Sequence, residues 1–265
     1  MNPSLVEIRP TAARRLGTVA IIMALGILGT EPAVASAKAS RASTVAVGTA
    51  LAATTIVTST ASAATAAAIT ARSLAVPLYY QAYTLSCEEA ALRMALASEG
   101  IPVTDAGVLA IIGSDLAAAT WDSSGLRWGD PYKTFVGDVA GGETSLTGYG
   151  TYYPTIARAA AALGGTVLAA GEGISAQSVY QYILSGHPVV TWVTYQWVNA
   201  QRADYVAYDG RVIPYAGPVE HAVTVVGVTP TDVIVNDPDF GRTVISKTLF
   251  EASYATYNNM AVVLR

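Results

Sequence analysis

The segment YYQAYTLSCEEAALRMALASEG, residues 79–100, contains Cys87, the only cysteine of the chain. Ser86 suits the N-cap of a helix, Glu88 and Glu89 would occupy its first turn, and apolar side chains recur at helical spacing up to a glycine. The segment therefore predicts an amphipathic helix that begins at the cysteine. A thiol in that position lies near the positive end of the helix dipole, which lowers its pKa, although the two glutamates act against this. Cys87 is thus either a small core residue or a nucleophile.

The composition of the chain indicates a folded protein and excludes several kinds of site. Hydrophobic residues make up 52% of the 265 residues and charged residues 13%, which is too apolar for a disordered chain. The net charge is -4 and no cluster of Lys and Arg follows residue 75, so we predict no nucleic-acid partner. A single cysteine excludes an internal disulfide and a Cys-rich zinc site.

Residues 1–37 have the pattern of a secretory signal peptide. Arg9, Arg14 and Arg15 precede the apolar run LGTVAIIMALGILG (16–29), and the small residues AVASA then offer an Ala-x-Ala cleavage site. The apolar run is too short to span a bilayer comfortably. We therefore expect an exported protein, secreted or in the cell envelope.

Residues 38–74 are rich in Ala, Ser and Thr and repeat the same pattern. Basic KASR is followed by a small, apolar stretch at 43–63 that ends in a second cleavable Ala-Ser-Ala. The segment is a second candidate signal or a linker, so the signal could extend to residue 63. An uncleaved anchor is the alternative, although its many hydroxyl side chains would weaken insertion. We expect contact with a membrane only if this segment stays uncleaved.

From residue 75 the pattern becomes globular and predicts one α+β domain, 75–265. Helices come first and strands separated by turn residues come last, which is typical of α+β layering with an antiparallel sheet. The predicted helices are 86–100, 104–112, 154–165 and 175–186, and the predicted strands are 75–81, 166–171, 187–197, 211–215, 221–229, 232–238, 243–247 and 260–265.

Residues 113–151 lack a clear period and are rich in Gly, Ser, Asp and aromatic residues. Such a long aperiodic stretch predicts a functional surface loop, which we expect to influence substrate specificity. Trp121 and Trp128 lie in it and are candidates for a substrate groove. Packing in the core or within the loop is the alternative for both.

His221 and Asp237 occupy two strands that predict a hairpin, 221–229 and 232–238. Antiparallel strands of this length bring the end of the second beside the start of the first, so we expect Asp237 next to His221. A carboxylate there would orient the imidazole and stabilise its protonated form. Asn236 should point to the opposite face. The alternative for His221 is an ordinary strand histidine.

Gln81 lies six residues before Cys87, where its side-chain amide could donate to an oxyanion together with the Cys87 backbone N–H. Cys87, His221 and Asp237 are also acceptable metal ligands, but no second histidine is spaced nearby. We therefore predict no metal and no cofactor.

Three segments resemble the C39-like (peptidase C39 family 2) group of papain-fold cysteine peptidases: VPLYYQAYTLSCEEAALRMAL, GHPVVTWV and HAVTVVGVTPTDVIVNDPDFG. The resemblance covers residues 75–264. It implies a papain-like α+β fold in which an N-terminal helix carrying the cysteine packs on a C-terminal antiparallel sheet. It maps catalysis onto Cys87, His221 and Asp237, with Gln81 at the oxyanion hole.

The acidic pair Glu88–Glu89 departs from this pattern, because papain-type enzymes usually have a small residue directly after the cysteine. Together with the signal pattern of residues 1–37, the resemblance implies an exported thiol hydrolase, a cysteine peptidase or amidase that cleaves peptide or amide bonds. Its substrate would be a peptide or a cell-wall peptide. The alternative is a non-catalytic papain-fold module that binds peptides or cell-envelope material.

Overall fold

The computed structural model describes residues 70–265, so the signal segments predicted at 1–37 and 43–63 lie outside the described residues. The four predicted helices are present within a few residues of their expected bounds, and a fifth helix follows them. The helices of this part of the chain are α1 (Cys87–Ser98), α2 (Asp105–Ile112), α3 (Tyr153–Ala162), α4 (Ala176–Ser185) and α5 (Lys247–Ala255). None of them is long and apolar enough to cross a membrane.

The strands between residues 70 and 265 are short, and the longest of them lies in the closing third. In chain order they are β1 (Arg72–Ser73), β2 (Ser114–Asp115), β3 (Thr120–Asp122), β4 (Gly125–Trp128), β5 (Phe135–Val136), β6 (Val167–Gly171), β7 (Val189–Thr194), β8 (Tyr205–Ala207), β9 (Val212–Ile213), β10 (Glu220–Val228), β11 (Asp232–Asp237), β12 (Gly241–Ser246) and β13 (Ala261–Leu264).

The main sheet has the strand order β12–β11–β10–β7–β13–β6, and β1 pairs with β10. All of its neighbouring strands are antiparallel, as the sequence predicts. The predicted hairpin is present as β10 and β11, in which Thr224 lies opposite Asn236 and Val228 opposite Val233. The longest strand, β10, therefore lies inside the sheet.

Helices cover both faces of the main sheet, so β10 is buried along its whole length. Ala222 faces a core that includes Ala91 of α1 and Ile156 of α3. The next residue, Val223, faces a second core with Val179 of α4, and residues of α5 also line that core. Alternate side chains of one strand point to opposite faces. An apolar side chain is therefore favoured at nearly every position of β10, which explains its continuous hydrophobic run.

Residues 113–151 are not a surface loop, which corrects the prediction. They contain β2 to β5, and Trp128, Phe135 and Val136 are buried in the core. The strands β3, β4, β8 and β9 form a separate small sheet, so the predicted strand at 211–215 pairs outside the main sheet. These strands have two to four residues, which is too short for a visible alternation of apolar and polar side chains.

Residues 75–81 form an irregular segment and not the predicted strand. Pro77 has no N–H to donate to a sheet. The segment is attached by other hydrogen bonds. The carbonyl of Val76 accepts from Asn236 Nδ2 at 3.2 Å and from Arg242 Nη2 at 2.8 Å, and Gln81 N donates to the carbonyl oxygen of Pro238 at 2.9 Å. Asn236 thus faces away from the Asp237 side of the strand, as expected.

Helix α5 was missed because its sequence, KTLFEASYA, follows a strand without Gly or Pro. The signal present is Ser246, whose hydroxyl accepts a hydrogen bond from Leu249 N as an N-cap. Phe250, Ser253 and Tyr254 are the buried residues of the helix and recur at helical spacing.

The hydrogen bond from Thr224 Oγ1 to the carbonyl oxygen of Ala91, 2.8 Å long, joins β10 to α1. We expect Thr224→Val to lower the free energy of unfolding by about 1 kcal/mol, because it removes this bond between fully buried groups. The measurement is urea unfolding.

The matched control is Thr191→Val on the adjacent strand β7. Thr191 is equally buried, but its hydroxyl has no hydrogen-bond partner among residues 70–265. This substitution should leave the stability unchanged or raise it. Equal losses in the two variants would show that the Thr224–Ala91 bond contributes nothing of its own.

Candidate active site

Cys87 is the first residue of α1, where the sequence placed it. Ser86 occupies the N-cap position, but its hydroxyl does not cap the helix and donates instead to Asp105 Oδ2 at 2.9 Å. The same oxygen accepts from the backbone N–H of Ala82 at 2.7 Å, and Arg93 of α1 forms an ion pair with Asp105 at 3.4 Å. The start of α2 therefore fixes the segment that leads into the cysteine.

His221 and Asp237 are in contact, with 2.9 Å between Nε2 and Oδ1. Both side chains are buried, and the same carboxylate oxygen accepts hydrogen bonds from the backbone N–H groups of Asp239 and Phe240. Burial alone would raise the pKa of Asp237, but the hydrogen bond and positive charge of His221, with the two amides, hold it below its usual value. An ionised carboxylate can only accept, so Nε2 of the imidazole carries the hydrogen of this bond and Nδ1 is left for another partner.

Cys87 and His221 line one cleft of about 860 Å³. Tyr195 also lines it and packs edge-on against the His221 ring, with 5.4 Å between the ring centroids. The Tyr195 hydroxyl donates to Asp239 Oδ2 at 2.6 Å. A thiol and an imidazole with a fixed orientation therefore face a common space.

Gln81 lines the same cleft. Its amide nitrogen donates to the carbonyl oxygens of Tyr83 and Thr84, at 3.1 and 2.7 Å. Both amide hydrogens are thus used by the loop before α1. One of these bonds has to be released before the amide can donate to an oxyanion.

The two candidate tryptophans do not line the cleft. Trp128 is 1% exposed, packs in the core and donates its indole N–H to the carbonyl oxygen of Ala117. Trp121 is 69% exposed on β3. Within the segment that contains them, the residues that do reach the cleft are 142–145 and Tyr149.

The thiol of Cys87 is surrounded by carboxyl groups. Its Sγ donates to Glu88 Oε2 at 3.2 Å, and Glu220 Oε2 lies 4.0 Å away. Burial is the largest cause that raises the pKa of Cys87 well above its usual value, followed by the negative charges of Glu88 and Glu220. The helix dipole alone would lower the pKa of Cys87, but burial and the neighbouring carboxylates outweigh it.

Glu88 and Glu89 are fully buried. Burial raises the pKa of Glu88 to about 7, against the hydrogen bond that its Oε1 accepts from Thr151 N at 2.5 Å. Burial and neighbouring carboxylates also raise the pKa of Glu89, Glu143 and Glu220. Among residues 70–265, no ion pair involves a glutamate.

Sequence reasoning missed Glu143, Tyr195 and Glu220 as cleft residues. Glu220 had a usable signal, because it directly precedes His221 and a charged residue at the start of a buried strand is unusual. Glu143 gave no local signal. It reaches the cleft through the fold of the 113–151 segment, where its Oε2 accepts from the backbone N–H of Glu220 at 3.3 Å.

Two solved structures are similar to this chain. One is a protein of Bacillus anthracis assigned as a C39-like peptidase, with 22% identity and a TM-score of 0.61 over 72% of this chain and 94% of the other. The second is the peptidase domain of Streptococcus ComA, a bifunctional ABC transporter of a quorum-sensing pathway, with 17% identity and a TM-score of 0.43 over 71% and 96%. The first similarity establishes the fold of the C39-like, papain-like peptidases.

No curated protein matches the chain significantly. A family model does match it, over residues 73–262, which is well over half of the chain. The match contains the cysteine helix, the central strands and the His221–Asp237 hairpin described above. The chain therefore belongs to the Peptidase_C39 like family.

Proposed function

We propose that the chain is an exported cysteine peptidase that cleaves peptide or amide bonds through Cys87, His221 and Asp237. Membership of a peptidase family supports a peptide substrate. The observation that carries the proposal is that Cys87 and His221 line one cleft while Asp237 fixes the imidazole at 2.9 Å. A nucleophile, a base and an orienting group are the three parts that acyl transfer requires.

In the proposed mechanism the thiol of Cys87 attacks the carbonyl carbon of the substrate and its proton passes to His221 Nδ1. The carboxylate of Asp237 stabilises the resulting imidazolium. The oxyanion is held by the Cys87 backbone N–H, which lies in the first turn of α1 and has no partner within the helix, and by the amide of Gln81. The tetrahedral intermediate expels the amine, which takes the proton from His221, and water then hydrolyses the thioester.

The test is hydrolysis of a peptide library by the native chain and its variants. We expect Cys87→Ala to abolish cleavage and His221→Ala to lower kcat by about 10²- to 10⁴-fold, the usual contribution of a general acid–base group. His187→Ala is the matched control, because His187 is the only other histidine of the chain and lies outside the cleft lining. Cleavage that persists in Cys87→Ala would overturn the proposal.

A second candidate is a non-catalytic papain-fold module that binds peptides or cell-envelope material. The observation in its favour is the raised pKa of Cys87, since a thiolate is the nucleophilic form. In a peptidase with this site, His221 must remove the proton during attack, as a base does for a serine. In a binding module, His221 would have no effect on the thiol.

Alkylation of Cys87 by iodoacetamide at pH 7 tests whether the neighbouring carboxylates lower the reactivity of the thiol. We expect Glu220→Gln to raise the rate of alkylation by roughly three- to tenfold, because it removes a carboxyl group whose ionised form places a negative charge 4.0 Å from Sγ. Glu251→Gln is the control, since Glu251 is exposed and lies on α5. An unchanged rate in Glu220→Gln would mean that this carboxyl group does not restrain the thiol.

The same assay separates the two candidate functions. His221→Ala should slow alkylation if the imidazole acts as the base of a peptidase. A rate that does not depend on His221 would favour the binding module.

Export is proposed from the sequence of residues 1–63 alone, and it would direct the enzyme to peptides outside the cell or in the cell wall. N-terminal sequencing of the protein from culture medium and from the cell envelope tests it. We expect a mature chain that begins after Ala37 or after Ala63. A cytoplasmic protein that keeps Met1 and the whole leader would contradict export.

A further inference from the structure

Cys87, Glu88 and Glu220 bring one ligand atom each into a small volume beneath the cleft. One ligand atom of each residue, Sγ of Cys87 and a carboxylate oxygen of Glu88 and of Glu220, lies within 4.8 Å of the other two, and all three side chains are buried. Sγ lies 3.2 Å from the Glu88 oxygen and 4.0 Å from the Glu220 oxygen. One ion placed among these atoms would touch all three.

The carboxyl group of Glu220 is not satisfied within the described part of the chain. Its Oε1 is buried and has no hydrogen-bond partner there, and Glu220 as a whole is 4% exposed. No ion pair of residues 70–265 supplies a positive charge to Glu88 or Glu220. A buried carboxyl group that stays ionised is normally paired or bound to a metal, because an isolated charge in a protein interior is costly.

We propose that Cys87, Glu88 and Glu220 bind a thiophilic divalent cation of the zinc class. Zinc accepts a thiolate at about 2.3 Å and carboxylate oxygens at about 2.0–2.2 Å, so its ligand atoms lie roughly 3.5 Å apart in a tetrahedral site. The two distances from Sγ bracket that value. Glu220 and Cys87 also line the cleft, which leaves a side open for water as the fourth ligand.

The hydrogen bonding of Glu88 suits a metal ligand. Its second oxygen, Oε1, accepts the hydrogen bond from Thr151 N, which fixes the carboxyl group and turns Oε2 toward the sulfur. Groups that orient a ligand in this way raise metal affinity. The site differs from the Cys87, His221 and Asp237 set considered from the sequence, because Nε2 of His221 is already bound to Asp237.

The bound cation would lower the reactivity of the sulfur, since a thiolate that shares its lone pair with a metal is a much weaker nucleophile toward a carbonyl carbon. This consequence rests on the proposed peptidase function, whereas the binding of the cation does not. The site would thus act as a metal-operated block on the nucleophile.

The experiment is a titration of the full chain, reduced and freed of metal with a chelator, with Cd²⁺, a softer probe for the same ligands. Coordination by a thiolate gives an ultraviolet sulfur-to-cadmium charge-transfer absorption that rises to one equivalent, and Zn²⁺ should abolish it by displacement. Cys87→Ser should remove the absorption. Glu88→Gln and Glu220→Gln should each weaken Cd²⁺ binding by at least about tenfold, since even a group that only orients a ligand costs 10- to 100-fold.

Asp239→Asn is the matched control, because Asp239 is an acid of the same cleft outside the three ligands. It should leave the Cd²⁺ affinity unchanged. A loss equal to that of Glu220→Gln would mean that the cleft attracts cations only through its overall charge, and would overturn the site. Thermal unfolding of each metal-free variant shows that the variants are folded.

Two further outcomes would overturn the proposal. One is the absence of a charge-transfer absorption from the folded native chain. The other is Cd²⁺ binding that survives in Cys87→Ser with full affinity, which would favour an ammonium group of a substrate as the natural occupant of the carboxylates. Peptide cleavage by the chelator-treated chain is measured separately, so a failure of the peptidase function leaves the metal result readable.

Discussion

The packing of α1 against β10 is the constraint on which the candidate site depends. Cys87 is the first residue of α1 and His221 is the second residue of β10, so the relation between thiol and imidazole follows from how the helix lies on the strand. Buried apolar side chains of the helix and the Thr224–Ala91 hydrogen bond fix that relation. Asp237 then depends on β11, which pairs with β10 along a defined register. The thiol, the imidazole and the carboxylate are therefore positioned by one helix and the sheet, whereas Gln81 lies in the loop before α1.

The hairpin of His221 and Asp237 was predictable from the sequence because it is a local structure. Two runs of β-forming residues around a short turn, with a histidine near one end and an aspartate near the other, allow only a narrow range of pairings. The cysteine helix was predictable for a similar reason, since its cap, periodicity and terminal glycine lie within 15 consecutive residues. In long strands and helices, the spacing of apolar residues shows which side chains share a face.

The surroundings of the thiol were not predictable, because they are brought together from distant parts of the chain. Glu143 reaches the cleft from an aperiodic segment, and Glu220 belongs to a strand more than 100 residues after Cys87. Trp128 was misplaced for the same reason: its segment contains very short strands, whose two to four residues are too few to show a buried face. The burial of such residues depends on strands that pair with distant segments of the chain, and the local sequence does not show this pairing.

The buried glutamates are not explained by the fold. An acidic residue in the first turn of a helix is favourable where solvent reaches it, because it complements the helix dipole. Glu88 and Glu89 are fully buried, and the large desolvation cost of a carboxylate then exceeds the small gain from the dipole. Apolar side chains would pack at these positions at a lower cost.

Features that oppose stability are expected where function requires them. Two of the glutamates, Glu88 and Glu220, lie against the one thiol of the chain. The unfavourable desolvation of these two carboxyl groups therefore occurs next to the atom on which the proposed chemistry depends. Control of that sulfur, by protons or by a bound cation, is the role that we propose for Glu88 and Glu220.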